Sequence, residues 1–116
     1  MEKTLKQTML EIKNMFNAIK ARPQNYIGIT DKRLDYLCYF LWGRLAICYD
    51  KHYGKFREDF THWIYTYLKN NSNNYNVKFE YLWYRMIYSV TDSEDEAWAL
   101  FFQIAQDYFE KYSFED

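Results

Sequence analysis

The chain has 116 residues, 49% of them apolar and 27% charged, with a net charge of −1. That length supports one hydrophobic core rather than two, so a single helical domain is expected over residues 1–116, and the composition excludes a disordered chain. A balance so close to neutral also argues against a surface that is a cationic field throughout.

The first helix is predicted over Thr4 to Ala21. Leu5, Met9, Ile12, Phe16 and Ile19 recur at one helical face, and polar residues, many of them Lys, fill the other. Arg22-Pro23 ends it, because the residue before proline is pushed out of the helical region. The segment Arg22 to Thr30 then reads as a loop, with Gly28 supplying a backbone angle a side chain would forbid and Thr30 or Asp31 capping the next helix.

Asp31 to Tyr53 is the densest apolar stretch and reads as the second, central helix. Leu34, Cys38, Leu41, Leu45 and Cys48 form one stripe, and Leu37, Phe40 and Ile47 a second beside it. A helix apolar over that much of its circumference should be covered on several sides. Gly54 is expected to close it. Cys38 and Cys48, ten residues apart on one helix, would sit about 15 Å from each other, beyond the reach of a disulfide. They read as buried core thiols in a reducing compartment.

Phe56 to Leu68 reads as a third helix, with Phe56, Phe60, Trp63, Ile64 and Tyr67 on its buried side. NNSNNYN, at 70–76, is a loop inside the domain. Val77 to Val90 is predicted as a fourth helix carrying Phe79, Trp83, Met86 and Val90 on one face, although YRMIYSV also suits a strand. Two overlapping capping boxes, Thr91 with Glu94 and Ser93 with Glu96, open a fifth helix that runs to about Tyr112. Its stripes are Trp98, Phe102, Ala105 and Phe109, and Ala97, Phe101, Ile104 and Tyr108. The fold class expected is therefore all-α, a single-domain bundle of about five helices around a central apolar helix.

Chemistry is sparse. His52 and His62 have no metal-ligand spacing, no serine lies in a nucleophile elbow, and three glycines make no phosphate loop. Adjacent acids such as Glu58-Asp59 point about 100° apart on a helix and do not converge. No catalytic residue, metal or cofactor is therefore assigned. Lys32, Arg33, Lys51, Lys55 and Arg57, interleaved with aromatics, leave single-stranded nucleic acid as an alternative ligand. No apolar run approaches the ~20 residues that span a bilayer, and MEKTLKQ lacks the apolar block of a signal peptide. The expectation is a cytoplasmic protein.

Charge is divided unevenly. Residues 1–90 carry 14 Lys/Arg against 8 Asp/Glu, whereas 91–116 carry 1 against 8. The acidic end either neutralises the rest of the chain or attracts a basic protein. Aromatics reach 22%, with 13 tyrosines, which reflects either base composition or a protein-recognition surface. The partner-binding candidates are Asp92, Glu94, Asp95, Glu96, Asp107 and Glu110, with exposed tyrosines as anchors.

RPQNYIG, followed by LDYLCYFLWG, FREDFTHWI, EYLWYRMI and AWALFFQIAQDYF, resembles a family of small bacterial helical proteins. Its hallmark is an RPxMYxG loop followed by an L..F..G helix. The likeness spans roughly residues 5–110, with Asn25 where Met is usual and Trp42-Gly43 in place of Gly-Tyr. Many members look like immunity proteins encoded beside polymorphic or contact-dependent toxins. The resemblance implies a protein that binds and neutralises a cognate bacterial toxin domain, with a nuclease as one such toxin. It transfers no catalytic residue, and it makes Arg22, Pro23, Tyr26 and Gly28 structural, with Arg22 facing a carboxylate such as Asp31 or Asp35. A phage- or host-encoded inhibitor of another protein fits the same features.

Overall fold

The structure, a computed structural model, describes residues 4–27, 32–71 and 76–112. It is all-α: the described residues form α1 (Leu5–Ala21), the single turn α2 (Gln24–Ile27), α3 (Leu34–Cys48), α4 (Asp50–Asn71), α5 (Trp83–Tyr88) and α6 (Glu94–Lys111), with no strand among them. The radius of gyration, 14.0 Å, matches the roughly 13 Å of one domain of this length.

α1 begins as its sequence dictates. Thr4 accepts from the Gln7 backbone N–H, and the Gln7 side chain accepts from the Thr4 N–H, a reciprocal cap. All five residues of its predicted stripe are buried. Arg22 leaves the helix at φ −142°, as Pro23 requires. The expected loop is partly helical, since α2 lies within it; Gly28, Thr30 and Asp31 lie outside the described residues.

The second expected helix is two. The chain breaks at Tyr49, φ −136° and ψ 43°, and α4 starts one residue later. Gly54 therefore closes nothing: it lies inside α4, exposed, with no atom within 4 Å of where a Cβ would sit. Packing sets the break. Folding back at Tyr49 brings Trp42 of α3 to 6.0 Å from Tyr53 and 6.3 Å from Phe56 of α4, ring centre to ring centre. Both ends of this reversal are hydrogen-bonded, Tyr49 N–H to the Leu45 carbonyl and Tyr53 N–H to the Tyr49 carbonyl.

The fourth helix is shorter than its apolar pattern suggests. Only Trp83–Tyr88 are helical, and 77–82 are irregular. Val77 is buried and Phe79 stacks on His62 of α4 at 4.5 Å, so these residues gain more from lying across α4 than from extending α5. In α6 both stripes are in the core except Phe109, which is partly buried.

The core is largely aromatic. Phe16 of α1 sits against Phe56 and Phe60 of α4 and Phe101 and Phe109 of α6, all at 5.4–6.1 Å between ring centres. Trp83 stacks on Phe101 at 4.4 Å and meets Trp42 edge-on at 6.1 Å. α3 contributes Leu34, Leu37, Cys38, Leu41, Trp42 and Leu45. Among the described residues, no helix is long and apolar enough to cross a membrane.

Candidate protein-binding face

α3 starts without a side-chain cap of its own: Arg33 is its N-cap residue and makes no capping bond. The free N–H groups of a first turn need acceptors, and here they come from the far end of the sequence. Glu94, the first residue of α6, accepts from the Leu34 N–H at 3.4 Å, and the Tyr88 hydroxyl accepts from the Asp35 N–H at 3.2 Å. Tyr88 in turn donates to both Glu94 oxygens at 2.8 and 2.9 Å. Arg33 closes the group, bonding Asp35 through two nitrogens at 3.3 and 3.0 Å and lying 3.5 Å from Glu94. Burial, and then the bond to Glu94, pushes the Tyr88 phenol up to about 12.

A tyrosine row continues from this clasp. Tyr84 meets Tyr88 edge-on at 5.7 Å and Tyr39 at 5.9 Å, and the Tyr39 and Tyr84 hydroxyls are 3.3 Å apart. Arg33 covers the Tyr36 ring at 4.7 Å. Tyr36 and Tyr39 remain 49% and 55% exposed. Sharing a hydrogen bond with Tyr84 raises the Tyr39 phenol.

Further along α3 the same side presents Gly43, Arg44 and Ile47, the last 84% exposed. At 100° per residue this stripe lies opposite the buried Leu34, Cys38, Leu41 and Leu45. Two expectations are corrected here. Ile47 is not core, and Cys48 is exposed rather than buried. The periodicity could not reveal this, because a helix without a polar face does not say which side turns outward. Gly43 stands mid-helix with nothing within 4 Å of where a Cβ would be. Glycine there costs about 1 kcal/mol against alanine, and no internal contact explains its presence.

The six candidate acids do not form one patch. Asp92, Asp95 and Glu96 are exposed together at the start of α6. Ser93 caps it by accepting from the Glu96 N–H at 3.1 Å, and Glu96 accepts from the Asp92 N–H at 3.0 Å. Neither expected box forms in full: the Glu96 carboxylate takes the Asp92 N–H rather than that of Ser93, and Thr91 donates to the Ile87 carbonyl while Glu94 belongs to the clasp. Asp107 lies about 18 Å along the helix from Asp95. It accepts from the Trp63 indole N–H at 3.0 Å and pairs with Lys111 at 2.6 Å. Glu110 accepts from Gln106 and lines a cleft of about 350 Å³ between α1 and α6, floored by Phe16, Phe102 and Phe109.

The structural-loop residues lie elsewhere. Arg22 caps α1, Pro23 follows it in a turn, Tyr26 is in α2, and Gly28 is outside the described residues. Asp35, one carboxylate expected to face Arg22, is taken by Arg33. Cys38 is held by burial at about 12, so it stays a thiol at neutral pH. Among the described residues no group of three His, Cys, Asp or Glu side chains could hold a metal ion. His62 pairs with Glu58 at 3.2 Å, and Asp59 pairs with Lys55 while accepting from the Tyr112 hydroxyl.

The arrangement can thus present tyrosine edges and carboxylates on a rigid base. Sequence reasoning expected tyrosine anchors without identifying them. The spacing of Tyr36 and Tyr39 on one turn of α3 was the available signal. Compared with protein-family models, curated proteins and solved structures, the chain matches none of them.

Proposed function

We propose that this chain is a bacterial immunity protein, acting in the cytoplasm, that binds one cognate toxin domain and blocks it by protein–protein contact. The observation that carries this reading is the continuity of Tyr39 and Tyr84 with the exposed acids Asp92, Asp95 and Glu96, joined through the Tyr88–Glu94 bond, with Tyr36 tied to the same group by Arg33 over its ring. Tyrosine supplies large contact area at low entropic cost, and carboxylates at the rim steer a basic partner and set its register. The resemblance of the RPQNYIG loop and its flanking helices to immunity proteins points the same way. A toxin with a basic substrate cleft, such as a nuclease, is the partner whose charge fits.

The nucleic-acid alternative is less well supported. Arg33 is tied to Asp35 and Glu94, Lys55 to Asp59, and Arg57 lies over the Trp42 ring at 5.8 Å.

The test is coexpression with the product of the neighbouring gene, followed by copurification and a growth-protection assay. A stable complex is expected, and Asp92→Lys with Asp95→Lys should weaken it and remove protection while leaving the fold intact. Absence of both complex and protection refutes the reading.

A further inference from the structure

We infer that Arg33 is a specificity-determining residue of the tyrosine and acid face, donating the outer edge of its guanidinium to a main-chain carbonyl of the bound partner, an assignment that rests on the immunity reading and names the chemistry the partner brings to this point. The guanidinium is only partly used within the chain. Its planar fork carries five N–H donors. Nε and Nη2 grip the two oxygens of Asp35 at 3.3 and 3.0 Å, a bidentate pair that occupies one edge. The Glu94 carboxylate lies 3.5 Å from the same Nε. Nη1 belongs to the other edge, and its N–H groups have no acceptor among the described residues. The side chain is 42% exposed, so that edge is within reach of an incoming chain.

The fork is also held in place before any partner arrives. A mobile arginine gives up rotamer entropy when a partner fixes it. Arg33 has surrendered much of that freedom on folding, because Asp35 grips one edge and the Tyr36 ring lies 4.7 Å from Cζ. Arginine anchors of this kind, beside tyrosine and preorganised, are where binding energy concentrates in protein interfaces. Tyr36 itself is 49% exposed, so ring and guanidinium are presented together.

Its neighbours decide which acceptor it can hold. Lys32 and Arg33 precede α3, and against them stand Asp35, Glu94 and the exposed acids at the start of α6, so carboxylates outnumber cations here. A carboxylate or phosphate approaching Nη1 meets that excess of negative charge, whereas an uncharged carbonyl oxygen does not. For the same reason Arg33 does not repel a basic partner, since Asp35 and Glu94 together outweigh its charge. The two effects divide the work of recognition. Acids at the rim draw in any cationic surface, and only a partner with a carbonyl at the right place fills the arginine edge; one without it buries an unsatisfied donor.

The experiment measures binding kinetics between the purified full chain and the product of the neighbouring gene. Arg33→Ala should weaken the complex at least about tenfold, through faster dissociation. Arg33→Lys should not restore it, because an ammonium keeps the charge and lacks the second edge. Circular dichroism should show both variants folded. The ratio of parent to Arg33→Ala affinity should hold between about 50 and 300 mM salt, since a carbonyl acceptor carries no charge. In a chain with isotope-labelled arginine, the Arg33 Nη1 protons should exchange rapidly when free and become resolved by NMR in the complex, a change a merely structural arginine would not show. If the parent itself forms no complex, the immunity reading falls and this assignment with it. If the parent binds, then Arg33→Ala affinity within about twofold of the parent, recovery in Arg33→Lys, Nη1 protons unaltered by binding, or an affinity ratio that collapses with salt overturns this assignment alone.

Discussion

Replacing Glu94 by alanine isolates the clasp that ties the start of α3 to the start of α6. The carboxylate holds three groups, and they differ in weight. The Arg33 contact is 3.5 Å long between side chains about 40% exposed, so it contributes at most about 1 kcal/mol. The Leu34 N–H bond is long at 3.4 Å. The Tyr88 bond is short, 2.8 Å, and partly buried, and a hydrogen bond to a charged group contributes about 1.5–3 kcal/mol. The tyrosine bond dominates, and Glu94→Ala should cost about 2 kcal/mol. For a domain of this size that lowers the thermal midpoint by roughly 8 °C. Asp95→Ala is the control: it lies in the same first turn and loses the favourable helix-dipole interaction, but makes no clasp contact, so about 0.3–1 kcal/mol is expected. Urea unfolding followed by tryptophan fluorescence gives the values, and a double-mutant cycle with Tyr88→Phe separates the pair from its surroundings. Coupling of at least about 1 kcal/mol is expected. A cost below about 0.5 kcal/mol, or additivity within that margin, would show that the clasp does not hold the two helix starts together.

Phe16→Ala removes the ring that meets four others and should cost about 3–5 kcal/mol, enough to leave much of the chain unfolded at 37 °C; a cooperative melt within a few degrees of the parent would contradict it. Gly43→Ala should stabilise by about 1 kcal/mol, read as a raised midpoint at low micromolar concentration, since nothing lies within 4 Å of the added methyl; destabilisation would mean that the outer side of α3 is occupied. Stability should hold at neutral pH and fall on the alkaline side. The raised groups are Cys38, by burial, Tyr88, by burial and its bond to Glu94, Tyr108, by burial, and Tyr112, by its bond to Asp59. Each favours its neutral form when folded, so its contribution is complete below the unfolded values of 9.0 for the thiol and 10.0 for the phenols, and is lost as pH climbs toward about 12. Urea midpoints from pH 8 to 11 measure this, and a flat profile would refute it.

Much of this fold was legible because α1 and α6 have distinct apolar and polar sides, and their caps use local residues such as Thr4 with Gln7 and Ser93 with Glu96. Legibility failed where the determinants are distant in sequence. The break at Tyr49 follows from packing Trp42 on Phe56, and neither glycine nor proline announces it. The irregular path of 77–82 follows from Phe79 lying on His62. Orientation of α3 was the largest gap: apolar on every side, it gave no indication that Ile47 and Cys48 face outward while Cys38 faces inward. The acids at 92–96 were found from charge alone, but the role of Glu94 as a cap for another helix depends on a contact spanning 60 residues, which no local pattern encodes.

The separation between α1 and α6 has a consequence for synthesis. α3 and α4 are joined by a single residue and close on each other at little entropic cost, so that hairpin can form while the ribosome is still translating. The ring of Phe16 waits longer for its full set of partners, because Phe101 and Phe109 lie far downstream of it. Until then α1 has only Phe56 and Phe60 of α4 to hold its ring, part of its apolar side stays open to chaperones, and the bundle locks once α6 has cleared the exit tunnel.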